Sequence, residues 1–218
     1  AGEVLCSFLT RSLPGEPSSA TVNTEWIRHL ADGTTITVGN HRAIARDRKG
    51  RIFQERRVLV PDDGQHESPV TQIEISDPVS HEFYICVPQE RVCQVEIFSA
   101  PAFDRNPPAR FAASPPRSPT LEDLGKQSIG GVETAGTRET AVIETGAIGN
   151  DTPMIVRREF WYSPQLGVNV VSQLSDPRLG IQNFEVSDIV LGEPDPKLFE
   201  LPSRSKVIDL REHARIPK

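Results

Sequence analysis

The chain has 218 residues, of which 37% are hydrophobic and 25% are charged, a composition typical of a globular protein. Its 24 Lys and Arg against 30 Asp and Glu give a formal net charge of -6, so we expect it to bind no nucleic acid and to avoid anionic lipid surfaces as a whole. No apolar run approaches the roughly 18 residues of a spanning helix, and we expect a protein that does not span a membrane.

The first 19 residues end in a turn-rich stretch of Pro, Gly and Ser, and we interpret residues 1–19 as an N-terminal lead-in. They show no charged-then-apolar signal peptide, so we expect that any export signal has already been removed. A bacterial lipidation box has a small residue directly before its cysteine, whereas Leu5 precedes Cys6. The lead-in is therefore expected to carry a free thiol and no lipid anchor.

A two-residue period begins after the lead-in and predicts antiparallel strands. Val22, Thr24 and Trp26 fall on one face of the first strand, and a turn around Gly33 leads into a second strand. Further strand-like runs lie at residues 51–60, 70–76, 83–87, 92–98, 127–129, 137–143, 154–163, 168–174 and 181–191. Their short connections favour antiparallel neighbours, because parallel neighbours need crossovers of a dozen or more residues.

The predicted fold class is therefore mainly β: a single curved antiparallel sheet, an open half-barrel built as a meander, with few short helices. Residues 20–202 are interpreted as one domain crossed by a Pro-rich strap at 99–119, since proline denies that stretch both helix and ladder bonding. Two small sheets on either side of the strap are the alternative. Residues 203–218 are expected to form a tail that is either held on the surface or frayed.

Helix is expected only in two short pieces, residues 119–124 and 194–199. In the second piece, Asp195 supplies an N-terminal cap and Pro196 a first-turn proline.

Between Arg42 and Arg57 the second predicted hairpin carries seven basic residues, offset only by Asp47 and Glu55. Phe53 is the one aromatic residue among them, too few for a stacking platform for single-stranded nucleic acid. The pattern favours a solvated hairpin face. A docking edge for an acidic partner or a lipid headgroup remains the functional alternative.

Cys86 and Cys93 lie in two apolar runs separated by a Pro-Gln-Glu-Arg turn, which places them opposite each other in a hairpin. This arrangement favours a cross-strand disulfide over a pair of buried thiols, and so an oxidising compartment. The same register sets Glu82 against Ile97 and Ile85 against Gln94. A bulge or a shifted turn is therefore expected, to keep one face apolar.

No sequence pattern identifies a catalytic or metal centre. The chain has no CxxC, HExxH, acidic calcium loop or GxSxG motif, and its five His are widely spaced. Its glycine-rich stretches lack the strand-to-helix setting of a phosphate loop. We expect no metal, no cofactor and no enzymatic activity; a hydrolase whose site follows no motif stays open.

Apolar side chains of three predicted strands indicate a ligand surface. A curved sheet with little helix needs cover on its concave face, and a lipid supplies it where the protein does not. An ordinary core is the simpler reading of the same residues. The candidate ligand-binding residues are Trp26, Met154, Val156, Phe160, Tyr162 and Phe184.

The C-terminal part of the chain resembles the periplasmic lipoprotein-carrier and lipoprotein-sorting superfamily, the LolA-like proteins. A strand at residues 184–189 runs into Gly-Glu-Pro-Asp-Pro-Lys-Leu-Phe-Glu-Leu-Pro at 192–202, similar to the strand, Asp-led turn and Phe-x-x-Pro ending of that superfamily. More narrowly, the motifs at 122–125, 131–138 and 146–150 look like those of uncharacterised exported bacterial proteins. The resemblance implies an open half-barrel that holds acyl chains or a partner segment.

Two functions are therefore expected. The first is a non-enzymatic periplasmic or secreted binding protein that takes a lipid, an acylated protein or a peptide on its concave face. The second is an envelope interaction or sensing module that meets a protein partner through its sheet edges and the basic hairpin.

Overall fold

The structure, a computed structural model, describes residues 15–98 and 119–211. These residues form one open, curved sheet of thirteen strands that is not closed into a barrel, and the predicted fold class is confirmed. The strands are β1 Ser18–His29, β2 Thr35–Arg46, β3 Ile52–Arg57, β4 Val60–Pro61, β5 Val70–Asp77, β6 Glu82–Val87, β7 Val92–Ile97, β8 Thr120–Ile129, β9 Val132–Ile143, β10 Met154–Ser163, β11 Val168–Asp176, β12 Gly180–Leu191 and β13 Lys206–Asp209. A 3₁₀ helix, Pro196–Phe199, lies between β12 and β13.

The strand order is β13-β7-β6-β5-β3-β2-β1-β12-β11-β10-β9-β8, with β4 paired to β2. The chain thus begins at the centre of the sheet and winds outward to β7. It resumes at the opposite edge in β8 and winds back inward to β12. Two meanders therefore meet where β1 pairs with β12, a pairing between strands at opposite ends of the sequence.

The first hairpin forms as its alternation predicts. Val22, Thr24 and Trp26 are buried along β1, and the intervening positions are half-buried. The turn before β2 is closed by Leu30 N donating to Thr34 O at 2.8 Å. These β-branched and aromatic side chains suit a pleated surface that is packed on one side.

Two apolar cores lie on opposite faces of the sheet. The first surrounds the seam between β1 and β12 and consists of Val22, Val132, Leu166, Val168, Val170, Phe184 and Val186. The second lies in the meander from β1 to β7, where Phe199 of the 3₁₀ helix packs against Ala45, Phe53 and Ile75. Paired residues of neighbouring strands share a face of the sheet. The register of β1 with β2, and of β2 with β3, therefore places Ala45 and Val22 on different faces.

Cys86 and Cys93 form the expected disulfide across β6 and β7, with Cα atoms 4.0 Å apart. The expected bulge is wrong, because the pairing runs unbroken from Val87 and Val92 to Glu82 and Ile97. One face of this hairpin simply mixes apolar and polar side chains. Both cysteines are buried, so the disulfide itself fills the core position there.

Two local predictions need correction. Residues 120–124, expected as helix, belong to strand β8, because β9 pairs antiparallel with Thr120 to Asp123 and, beyond a bulge at Leu124, with Gly125 to Ile129. The tail contains β13, which pairs in parallel with β7 and so departs from an all-antiparallel sheet. The short helix near Phe199 is confirmed as a 3₁₀ helix, with Asp195 Oδ1 accepting from Lys197 N at 2.9 Å.

Cys6, most of the N-terminal lead-in, nearly all of the Pro-rich strap and the last seven residues lie outside the described residues. The division into lead-in, domain, strap and tail stays a prediction.

Candidate binding groove

Polar side chains from six strands align in one row across the middle of the sheet. The row follows the pairings from strand to strand and consists of Glu25, Asn183, Gln173, Glu159, Arg138 and Glu122. Directly paired residues point to the same face, so these side chains share one surface, which we call the groove face.

Hydrogen bonds link the row into two groups, one from Glu25 to Gln173 and one from Glu159 to Glu122. Asn183 donates through Nδ2 to Glu25 Oε2 at 2.7 Å, and Gln173 donates through Nε2 to Asn183 Oδ1 at 2.8 Å. Arg138 donates to Glu159 Oε2 at 2.9 Å and to Glu122 Oε2 at 3.0 Å. Such linked donors and acceptors hold one another in place, so the groove face is a pre-organised polar surface.

Two cavities of about 670 and 630 Å³ lie over this face. They share Glu159 and Gln173, so they form one continuous groove across the meander of strands β8 to β12. The larger cavity is also bordered by the 60–68 segment, including Pro61 and His66. Together they exceed the volume usual for a single small-molecule site.

Glu159 lies at the centre of the groove and remains ionised. The hydrogen bond from Trp161 Nε1, at 2.9 Å, lowers the pKa of Glu159, and the hydrogen bonds from Arg138 lower that pKa further against the opposing effect of burial. The same contacts raise the pKa of Arg138. The ring of Trp161 lies over Gly136, where a Cβ atom would stand 2.7 Å from two ring carbons.

The larger cavity is acidic. The described residues that line it include four carboxylates, Glu25, Asp62, Glu159 and Glu185, and no Lys or Arg. In the smaller cavity, Arg138 and Arg157 balance Glu122 and Glu159. A ligand that spans both cavities therefore meets negative charge at its β1 end and mixed charge at its β9 end.

The structure separates the six predicted ligand residues from most of this groove. The alternation along β10 and its pairings place Phe160, Phe184 and Trp26 on the face opposite Glu159. Phe184 borders the larger cavity, yet its side chain is 6% exposed and belongs to the first core. Trp26 is 8% exposed and donates through Nε1 to Leu179 O at 2.7 Å.

The other predicted residues form a stripe along β10. Met154, Val156 and Phe160 are half-buried, and Tyr162 is 45% exposed. The structure therefore brings Met154, Val156 and Phe160 together and keeps Trp26 apart in the seam. Their assignment to a ligand stays a prediction.

Sequence reasoning missed the residues of the groove face. Glu159, Asn183 and Gln173 belong to no motif, and polar residues at such positions are ordinary in a strand with one solvated face. Each strand contributes one or two of them at positions far apart in the chain. Only the register between strands shows that they align, so no single segment holds the signal.

The basic hairpin is largely paired within the chain. Arg51 contacts Asp47 at 2.7 Å, Arg56 contacts Glu74 at 2.8 Å and Arg57 contacts Glu55 at 2.9 Å. Arg46 is buried and donates to Glu16 O. Among the described residues of this hairpin, the cations most open to docking are the exposed Arg48 and Lys49.

Within residues 15–98 and 119–211, no group of three or more His, Cys, Asp or Glu side chains is arranged to hold a metal ion. The same residues contain no helix long and apolar enough to cross a membrane.

No protein-family model and no curated protein matches the sequence. Solved structures are similar to it. They include an uncharacterized conserved protein from Thermus thermophilus, with 7% identity and a TM-score of 0.45 over 91% of this chain and 92% of that one. A chain of the Pseudomonas aeruginosa MucA/MucB complex has 11% identity and a TM-score of 0.44, and the match covers 90% of this chain but 59% of that one.

A LolA superfamily protein from Nitrosomonas europaea is also similar, with 9% identity and a TM-score of 0.34 over 86% of this chain and 91% of that one. Because every TM-score is below 0.5 and every identity is below 25%, what these proteins bind is not transferred to this chain.

Proposed function

We propose that this protein is a non-enzymatic, extracytoplasmic binding protein that holds an extended polypeptide segment in the groove. The observation that carries the proposal is the hydrogen-bonded polar row from Glu25 to Glu122. A peptide backbone presents an N–H and a C=O at every residue, so it can exchange hydrogen bonds with amide and carboxylate side chains along the whole row.

A hydrocarbon chain fits this groove poorly. Covering Asn183, Gln173 and Glu159 with acyl carbons removes their remaining contacts with water and returns no hydrogen bond, which costs roughly 1–3 kcal/mol for each polar group. Phe184 is the one Phe, Tyr or Trp among the described residues that line the two cavities, and at 6% exposed it offers a sugar ring little surface for stacking. A polypeptide is therefore the ligand class that the side chains favour.

The charge of the groove indicates which end of the peptide is basic. Four carboxylates line the β1 end, whereas arginines and glutamates alternate towards β9. A segment with a Lys or Arg side chain over Glu185 and Glu25 gains attraction and fast association at low salt.

The disulfide supports an oxidising compartment. Cross-strand disulfides such as Cys86–Cys93 persist outside the reducing cytosol, which fits a periplasmic or secreted protein.

The test is selection of binders from a displayed library of unstructured peptides, followed by affinity measurement with purified protein. Gln173→Leu is expected to weaken the selected peptides by about tenfold, because it removes hydrogen bonds worth about 1.4 kcal/mol. Gln94→Leu is the matched control, since Gln94 is also an exposed strand glutamine but lies on β7 of the other meander. Failure to select any peptide, or equal affinity in both variants, would overturn the proposal, and so would preferential binding to a glycan array.

An acyl ligand is the second candidate, favoured by the stripe on β10. Met154, Val156 and Phe160 are incompletely buried there, and Leu121 of β8 is 65% exposed on the same face. Binding of a fluorescent fatty acid to this stripe should be lost in the Val156→Asp variant. It should be retained in Ile155→Asp, which places the charge on the opposite face of the sheet. Purified protein without fatty-acid binding and without co-purified lipid by mass spectrometry would exclude this candidate.

A further inference from the structure

A separate cavity of about 380 Å³ lies at the end of β1, beside the turn between β11 and β12. It shares no lining residue with the larger groove cavity, but Ser175 and Ile181 also line the smaller one, so it adjoins that end of the groove. Cationic side chains and apolar groups line it together: Arg28, Arg178, Leu30, Pro177, Leu179 and Ile181. Its volume is within the range of small-ligand sites.

Arg28 is the cation that the fold holds in place here. Its guanidinium carbon lies 4.4 Å from the ring centroid of Trp26, and the Trp26 indole is itself fixed by the hydrogen bond to Leu179 O. The Nε atom of Arg28 is buried without a hydrogen-bond partner. In residues 15–98 and 119–211, no carboxylate forms an ion pair with Arg28. A buried donor that is left unpaired is costly, and functional sites are one place where such groups persist.

The carboxylate of the cavity, Asp176, is already occupied by Arg178. Its Oδ1 accepts from Arg178 N and Nε, each at 2.9 Å, and its Oδ2 accepts from Nη2 at 2.5 Å. Burial raises the pKa of Asp176, but the hydrogen bonds from Arg178 outweigh it and the net pKa is lowered. Asp176 and Arg178 therefore form a neutral pair, and the charge of Arg28 remains uncompensated.

The surrounding backbone is tightly placed. Gly180 has φ of 91°, and a Cβ atom there would lie 2.1 Å from Ile27 O. The turn between β11 and β12 therefore lies directly against β1, which fixes Leu179 beside Trp26. A binding group held this closely loses little conformational entropy when a ligand arrives.

We propose that this cavity binds a small organic carboxylate, with its anionic group on the Arg28 guanidinium and its apolar body against Leu30 and Leu179. A planar carboxylate can accept two parallel N–H bonds from a guanidinium, and the apolar lining distinguishes an organic acid from an inorganic anion. The cavity adjoins the smaller groove cavity at Ser175 and Ile181, but the inference does not rest on the proposed function.

The test uses the full chain and benzoate as the probe, with NMR of backbone amides. Saturable shifts confined to residues near Leu179 and Gly180 are expected, with a Kd of about 1 mM or tighter. Benzyl alcohol, which has the same ring without charge, should cause none. A peptide that ends in a free Leu carboxylate, compared with its amide, tells whether the acid is a free molecule or a chain terminus.

Arg28→Met keeps an aliphatic side chain over Trp26 and removes the charge, so it should weaken benzoate at least about tenfold. Arg48→Met is the control, because Arg48 is an exposed cation in the turn after β2. An unchanged far-UV circular dichroism spectrum and an unchanged urea midpoint show that the fold is intact. Absent or non-saturable shifts, equal shifts with chloride or phosphate, or full binding by Arg28→Met would overturn the proposal. Gln173→Leu should leave benzoate binding unaffected, which separates this site from the groove.

Discussion

Two glycines allow neighbouring segments of the sheet to approach each other closely. At Gly180 the left-handed backbone and the contact with Ile27 O leave no room for a side chain. At Gly136 the indole of Trp161 fills the space that a Cβ would take. These glycines are required by their neighbours, and an isolated sequence window gives no indication of that requirement.

Gly180→Ala is expected to destabilise the protein by about 3 kcal/mol, because it adds a backbone clash to the strain of a left-handed residue. Urea denaturation followed by circular dichroism measures the change. Gly33→Ala is the control: Gly33 also has a positive φ, of 85°, but nothing lies within 4 Å of its Cβ position. That variant should lose only about 1 kcal/mol. Equal losses in the two variants would show that the contact with Ile27 is unimportant.

The groove residues show what the sequence could not reveal at this scale. Polarity at Asn183 or Gln173 is ordinary for a strand with one solvated face. Their function as a row depends on which residue of the next strand lies opposite, and a slip of one residue would turn each side chain to the other face.

At the level of single elements, the local sequence pattern predicts hairpins whose two strands are adjacent in the chain. The β1–β2 and β6–β7 hairpins follow from alternation and turn residues, and so does the disulfide. Local pattern failed in residues 119–124, for which the sequence predicts a short helix. There the long-range partner β9 determines the conformation, since an unpaired edge segment gains backbone hydrogen bonds by joining the sheet.

The disulfide is expected to stabilise the β6–β7 hairpin by about 2 to 3 kcal/mol through the entropy of the unfolded chain. The double variant Cys86→Ala and Cys93→Ala should lose that amount in urea denaturation. Reducing agent supplies the control: dithiothreitol should lower the stability of the native protein towards that of the variant and leave the variant unchanged. Identical stability of the native protein with and without reductant would contradict this expectation.

Across the whole molecule, the seam between β1 and β12 joins the two meanders. Val22 of β1 is fully buried there and packs in the first core with Val186 of its partner strand. Neither meander retains this core alone. We therefore expect both meanders to unfold together in one transition.

Val22→Ala should lower the free energy of unfolding by about 2 kcal/mol and lower it equally in both meanders. Hydrogen exchange with mass spectrometry, on peptides from β5–β7 and from β9–β11, reports the two halves separately. Val190→Ala is the control, since Val190 on β12 is 61% exposed and should change stability by less than about 0.5 kcal/mol. Separate transitions for the two halves would refute the coupling.

The sequence by itself determined most of the strands and turns, the disulfide and the β class, because these depend on side-chain alternation and on contacts between near neighbours in the chain. Only the tertiary structure decided that β1 pairs with β12, that β13 adds a parallel edge, and that a polar row crosses six strands. Those features depend on register between segments as far apart as Glu25 and Asn183. Periodicity assigns a residue to a face of its own strand, but it does not specify the strand or the residue that lies beside it.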